Sequence, residues 1–542
     1  MKVSAAIAEI LKREGVDMVF GYPRNAVLEA AAEADIRTVI VRQERTGLHM
    51  ADAYSRMTRG KKMGVFAMQH GPGTENAYGG VAQAYSESIP MLVIPQGYAR
   101  RLAHVPDNYN ATVQMAGITK LAEPINLAAE TPNILRRAFT QMRNGRPRPV
   151  LVELPYDVSD LEVPEPLTYE PVLRTTFAPS SEAVEAAAEA LVAAQRPVIY
   201  AGQGVHWAEA YDELKRLAEL LAAPVCTSLE GKSAFDETHP LALGSGGAAI
   251  PKTVRHFLSA SDVILGIGCS FSQTAFGVSM PQGKTMIHNT LDETDLNKNY
   301  PTKFGLLGDS KLTLQLLIDA CSRRLKGARD PSAVHAEIKA VEAEWMRQWL
   351  PILESDESPI TPYRVLWELQ RTVDKANTII THDAGSPRDQ LTPFWKSTAP
   401  LSYIGWGKTT QLGYGLGLAM GAKLACPDKL CINVWGDAAI GFTGMDFETA
   451  VRERAPILSI LLNNASMAIE LDIMPVATKK YRSTDISGNY ADFAKALGGY
   501  GERITRVEDI VPAIKRGIAQ NEAGVPALLE FMTSQEQRFS RL

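Results

Sequence analysis

A chain of 542 residues, 45% hydrophobic and 22% charged, has the balance of a water-soluble globular protein and the length for about three domains. A formal net charge of −5 implies no strongly basic face of the kind on which nucleic-acid binding rests. No run approaches the ~18 uninterrupted apolar residues of a membrane span. The five cysteines are odd in number and lack metal-ligand spacing, so a reducing, cytoplasmic setting is expected, with a small molecule as the partner and neither nucleic acid nor membrane.

Taken in chain order, the N-terminal stretch places Glu9, Lys12, Arg13 and Glu14 among apolar residues at helical spacing. That predicts an amphipathic helix and not a signal peptide. Short strand patterns follow at residues 39–41, 64–68, 91–95 and 150–153, with amphipathic helix patterns between them. Residues 163–181 are Pro-rich and aperiodic, and read as a linker. A second unit carries strand patterns at 197–200, 224–228, 262–267 and 285–289. A long charged helix pattern at 333–350 and a polar stretch at 355–362 lead to a third unit, with strands at 378–381, 430–435, 457–462 and 527–531. Such alternation predicts three α/β domains, each a doubly wound parallel sheet covered on both faces, over 1–165, 182–335 and 356–535. The first and third units look alike in length and alternation, with no residue-level repeat.

The chemistry is concentrated in the third unit. One strand runs into Gly436-Asp437-Ala438, and a second runs into Asn463-Asn464. A βαβ unit brings the C-terminal ends of neighbouring parallel strands to one rim, where ligands bind. Asp437 and Asn464 are therefore expected to meet there. With the backbone carbonyl of Ser466 they offer oxygen to a hard cation such as Mg²⁺, which fills its other places with phosphate and water. Small residues at Ala438 and Ala439 let peptide N–H groups approach a phosphate. Without further context the same residues could equally cap helices.

With the segment 445–452 at the crossover between them, these motifs resemble the thiamine-diphosphate enzyme superfamily, the group that includes acetolactate synthase, pyruvate oxidase and benzoylformate decarboxylase. That family carries GDG and then NN; here Ala438 stands at the last glycine. The resemblance implies that Asp437, Asn464 and the Ser466 carbonyl hold Mg²⁺ against the diphosphate, with Gly385, Ser386, Gly436, Ala438, Ala439 and Met467 also at the cofactor. Leu412, before Gly413-Tyr414-Gly415, stands where the family has a wedge under the cofactor, and the Thr410 carbonyl would accept from the aminopyrimidine amine.

The first unit resembles the family as well. Residues 42–56 look like its strand-end glutamate followed by a helix, which singles out Glu44. The thiazolium C2 proton is too weakly acidic to leave unaided; a carboxylate beside N1′ of the aminopyrimidine promotes the imino tautomer, whose nitrogen takes that proton. Read alone, Glu44 is an acidic residue opening a helix. Residues 69–76, QHGPGTEN, match the family's GPGxxN, with Gly73 and Asn76 at the cofactor. The match puts Gln69 and His70 at its reacting end, as a proton-shuttling or substrate-binding pair. The resemblance also puts Pro23 beside the cofactor. Arg24 and Asn25 replace the glycine usual after it, and an arginine there either clamps a substrate carboxylate or phosphate or faces solvent.

The middle unit is near the family's wording at 196–204, 231–235 and 239–241. Some relatives hold FAD or an ADP moiety there, but residues 244–247 depart from the flavin-binding form, so FAD or an ADP/CoA moiety is left unsupported. The tryptophan-bearing run of acetolactate synthases is replaced by 465–470, ASMAIE, and their Thr-Lys-His element by Glu123-Pro124-Ile125. The resemblance implies a thiamine-diphosphate-dependent C–C lyase or transferase acting on a 2-oxo acid or related acyl substrate. A 2-hydroxyacyl-CoA lyase or oxalyl-CoA-decarboxylase-like enzyme is the main alternative, and a non-catalytic scaffold another. The cofactor would lie between the first domain of one subunit and the third of another, in a homodimer or homotetramer.

Overall fold

The structure, a computed structural model, describes residues 1–541. Its eighteen strands form three six-stranded sheets, and the strand pairings are parallel. The first holds β1 (Met18–Gly21), β2 (Arg37–Ile40), β3 (Gly64–Met68), β4 (Met91–Gly97), β5 (Ala122–Pro124) and β6 (Pro149–Pro155). The second holds β7 (Pro197–Ala201), β8 (Val225–Thr227), β9 (Ala242–Ser245), β10 (Val263–Ile267), β11 (Thr285–Thr290) and β12 (Phe304–Leu307). The third holds β13 (Thr378–His382), β14 (Tyr403–Ile404), β15 (Leu430–Gly436), β16 (Leu458–Asn463), β17 (Tyr500–Ile504) and β18 (Ala527–Met532).

Inner strands such as β3, β4, β10 and β16 are buried along their whole length. Helices cover both sheet faces, so these strands read as continuous apolar runs. Side-chain caps start several of the helices: Asn25 before Ala26–Glu33, Asp309 before Ser310–Arg324, and Thr361 before Pro362–Thr372, where a proline opens the first turn.

The orders of the first and third sheets are the same. One runs β2-β1-β3-β4-β6-β5 and the other β14-β13-β15-β16-β18-β17. The likeness of these two units therefore lies in topology. The middle sheet runs β9-β8-β7-β10-β11-β12, the order of dinucleotide-binding sheets, with its switch point between β7 and β10. Residues 163–180 carry neither helix nor strand, yet they are fastened down. Tyr169 is buried and its hydroxyl donates to Glu14, whose carboxylate also pairs with Arg143.

The first and third units meet through two helices, Glu44–Met57 and Tyr414–Ala425. A Cβ on Gly421 would lie 2.2 Å from the Met50 carbonyl oxygen, and one on Gly417 2.5 Å from the His49 Cβ. Only glycine admits this approach. Beside it runs a buried network: Arg56 donates to Asp52 (2.6 Å), to the Tyr414 hydroxyl (2.9 Å) and to the Gly405 carbonyl (2.8 Å), and Tyr414 donates to Asp52 (2.7 Å). A buried ion pair persists where such hydrogen bonds satisfy both partners.

Candidate active site

Strands β15 and β16 end level, with Gly436 opposite Leu462. Asp437 therefore opens the helix Asp437–Thr443 at the same rim where Asn463 and Asn464 leave their strand. Ala465 has φ +57°, a left-handed turn that directs the Ser466 N–H back toward the rim. That N–H lies 3.2 Å from Asp437 Oδ2 and 3.0 Å from Asn464 Oδ1, and Asp437 Oδ1 accepts from Ala438 at 2.9 Å. Burial raises the Asp437 pKa, and peptide N–H groups of Ser466, Ala438, Ala465 and Asn464 oppose the rise.

The residues enclose an open cleft of about 620 Å³. Of the expected positions, Gly385, Ser386, Leu412, Gly436, Asp437, Ala438, Ala439, Asn464, Ser466 and Met467 line it. Pro387, Gln390, Ile469 and Glu470 line it too, without having been singled out from sequence. Among the described residues no three His, Cys, Asp or Glu side chains converge as a ligand cluster. What the rim offers is carboxylate, amide and carbonyl oxygen, the donor set of a hard divalent cation. The buried Ser466 hydroxyl has no partner in the protein, a polar atom left over on the cleft wall.

Leu412 is half-buried and Thr410 exposed; Thr410 does not line the cleft. The backbone just after Leu412 is held by Asp383, a fully buried carboxylate at the end of β13 that belongs to none of the sequence motifs. It accepts the N–H groups of Gly413 (2.9 Å), Gly415 (3.0 Å) and Ala384 (2.8 Å). Burial nevertheless pushes Asp383 up to about 7.

The second cluster stands at the rim of the first sheet. Glu44 opens its helix and is 4% exposed. Its Oε2 accepts from Asn76 at 3.4 Å, and a Cβ on Gly73 would lie 3.2 Å from Oε1 and 3.0 Å from the Gln69 Cβ. Glu44, Gln69, Gly73 and Asn76 are thus neighbours. Burial raises the Glu44 pKa. His70 packs edge-on against Tyr98 with centroids 4.7 Å apart, and its buried Nδ1 has no partner. Burial and then the charge of Arg24 lower its pKa, which keeps the ring neutral and places Arg24 nearby. Pro23 and Arg24 are exposed.

Asn25 departs from expectation. Its Oδ1 caps its helix through the Val27 N–H, and its Nδ2 donates to the Met68 and Ile94 carbonyls at 2.9 and 2.8 Å. The amide is spent on tying the start of its own helix to β3 and β4, which makes it a clamp of the fold.

The two clusters do not share one cleft within the chain. Every residue lining the 620 Å³ cleft lies between Pro362 and Thr533. A separate, larger cleft of about 960 Å³ sits at the switch point of the middle sheet, where Gly204 and Gly268 follow β7 and β10.

Three α/β units in this order, with matched rims on the first and third, define a class of cofactor-dependent enzyme. Family profiles agree with the geometry: "Thiamine pyrophosphate enzyme, N-terminal TPP binding domain" matches residues 1–118, "central domain" 184–317 and "C-terminal TPP binding domain" 383–531. The chain belongs to the thiamine pyrophosphate enzyme family, in its acetolactate-synthase-like group. It is 31% identical to a probable acetolactate synthase large subunit of Methanococcus aeolicus, covering 98% of this chain and 92% of that one. Identity is 28% to the acetolactate synthase isozyme 3 large subunit of Escherichia coli K12 (94% and 90% covered) and 28% to the glyoxylate carboligase of E. coli O157:H7 (98% and 93% covered).

Proposed function

We propose that the protein is a thiamine-diphosphate- and Mg²⁺-dependent enzyme that cleaves or forms the C–C bond beside the carbonyl of a 2-oxo acid, as a carboligase or decarboxylase. The observation that carries this is the pairing of an oxygen-only rim at Asp437, Asn464 and Ser466 with a buried glutamate rim at Glu44. Relatives named for acetolactate synthesis and glyoxylate carboligation support the 2-oxo acid class.

When bound, the cofactor supplies the nucleophilic carbon and the electron sink of the reaction. This chain's residues do the rest. Asp437, Asn464 and the Ser466 carbonyl would hold Mg²⁺, and the N–H groups after Gly436 and Gly385 would hold phosphate. Glu44 would hold the proton at N1′. Neutral His70, with Gln69 beside it, is placed to move a proton at the substrate carbonyl, and Arg24 offers a cation to its carboxylate.

The two rims belong to different domains and do not face one another across one cleft, which supports a site completed by a second copy, in a homodimer or a homotetramer. Large apolar side chains exposed near the rims, Tyr78, Phe442 and Met445, suit burial between copies. The 960 Å³ central cleft favours a second reading, an acyl-CoA lyase that seats an ADP moiety there. Turnover assays separate the two. CO₂ release from a free 2-oxo acid such as pyruvate or glyoxylate, dependent on thiamine diphosphate and Mg²⁺, is expected. Turnover confined to CoA thioesters would transfer the assignment to the second reading.

A further inference from the structure

The loop that carries Thr410 and Leu412 is gripped from outside its own domain. Glu87, the residue closing the helix Pro72–Ser86 of the first unit, is fully buried. Its carboxylate accepts three successive backbone N–H groups of the third unit: Gly407 at 3.1 Å, Lys408 at 2.8 Å and Thr409 at 3.4 Å. The Lys408 ammonium pairs with Glu230 of the middle unit at 3.1 Å, and a Cβ on Gly407 would lie 2.6 Å from the Glu230 carboxyl carbon. All three domains therefore meet at residues 407–409. Ahead of them Arg56 holds the Gly405 carbonyl, and beyond them Asp383 holds Gly413 and Gly415. Between these anchors stand Thr410, exposed, and Leu412, on the cleft wall.

We propose that Glu87 is a positioning residue of the cofactor site: its carboxylate fixes the backbone of residues 407–409 and so sets where the Thr410 carbonyl and the Leu412 side chain stand. The inference rests on the cofactor assignment above. An anion accepting three N–H groups is a stronger anchor than any neutral side chain of that size. It is also costly to keep. Burial and the nearby Glu230 push the Glu87 pKa up, against Lys408 and Arg56, which pull it down; the Tyr414 hydroxyl is the other titratable group facing it.

The test is the affinity of the full-length protein for thiamine diphosphate with Mg²⁺, by calorimetry, as a function of pH. Glu44 and Asp437 titrate in every variant, so the difference between wild type and Glu87→Gln isolates Glu87. In Glu87→Gln the affinity should be weaker by about tenfold at alkaline pH, and the gap should close as the pH falls and the wild-type carboxyl protonates. Glu230→Gln removes the carboxylate that raises Glu87, so its loss of affinity on acidification should move to lower pH; this holds even if Glu87→Gln fails to fold. Equal affinity of wild type and Glu87→Gln across the range, or an unshifted profile in Glu230→Gln, would overturn the proposal while leaving the cofactor assignment intact. Absence of any binding by wild type would remove both.

Discussion

The Ser466 peptide N–H points across the ends of two parallel strands at the Asp437 carboxylate, 3.2 Å from Oδ2. This contact joins the two rim motifs and leaves Asp437 desolvated with only peptide dipoles to offset its charge. Its folded pKa lies above the unfolded value. Stability from this group is therefore complete below the ordinary aspartate value and is lost as pH rises through the raised one. At neutral pH the raised pKa of Asp437 costs the apo fold stability, and Asp437→Asn should leave the apo melting temperature unchanged or raised. Mg²⁺-dependent binding of thiamine diphosphate should fall by more than about a hundredfold if Asp437 is the metal ligand proposed above. Calorimetric titration and a melt of the apo protein check both halves.

Glu44 is buried beside Gly73 and Asn76. Replacing it by glutamine keeps the shape and removes the carboxylate proposed to hold the proton. Turnover should drop by about 10²–10⁴-fold, with cofactor affinity changed far less. Because burial raises the Glu44 pKa, the acid limb of the wild-type kcat profile should lie above the ordinary glutamate range. That limb should vanish in Glu44→Gln; a variant with wild-type turnover would remove Glu44 from the chemistry.

The contact between the helices Glu44–Met57 and Tyr414–Ala425 predicts a stability effect far from any ligand. Gly421→Ala drives a methyl to 2.2 Å from the Met50 carbonyl, so the helices must part, at about 1–3 kcal/mol. Gly117→Ala, with nothing within 4 Å of the added carbon, should be close to neutral. Urea unfolding of the two variants side by side gives the comparison; equal midpoints would mean the contact is not as tight as described.

How far the sequence carried the account depends on burial. The inner strands were legible because burial on both faces makes them apolar without interruption, as in β10 and β16. Of the edge strands β2 was read, at 39–41, but others were not: β5 spans three residues and includes Pro124, β14 spans two, and β12 and β17 are only partly buried. Strand β1, four buried residues long, was not read as a strand from the sequence. At the site, Glu44, Asp437 and Asn464 stood out because motifs flank them. Asp383 and Glu87 did not, since their role is to accept backbone N–H groups brought from elsewhere in the chain. Their only sequence signal is an acidic residue set among apolar ones at the end of a strand or helix. Asn25 misled for the same reason: its partners on β3 and β4 become neighbours only in the fold.

The central claim is most directly tested by the melting temperature of the purified protein in the presence of thiamine diphosphate, with and without Mg²⁺. A ligand that binds only the folded state stabilises it by mass action, by about 2.7 kcal/mol at a hundred times its Kd. The account predicts a clear rise with both present and little or none when Mg²⁺ is withheld. No rise at saturating cofactor and Mg²⁺ would contradict it, because Asp437, Asn464 and Ser466 would then not form the site assigned to them.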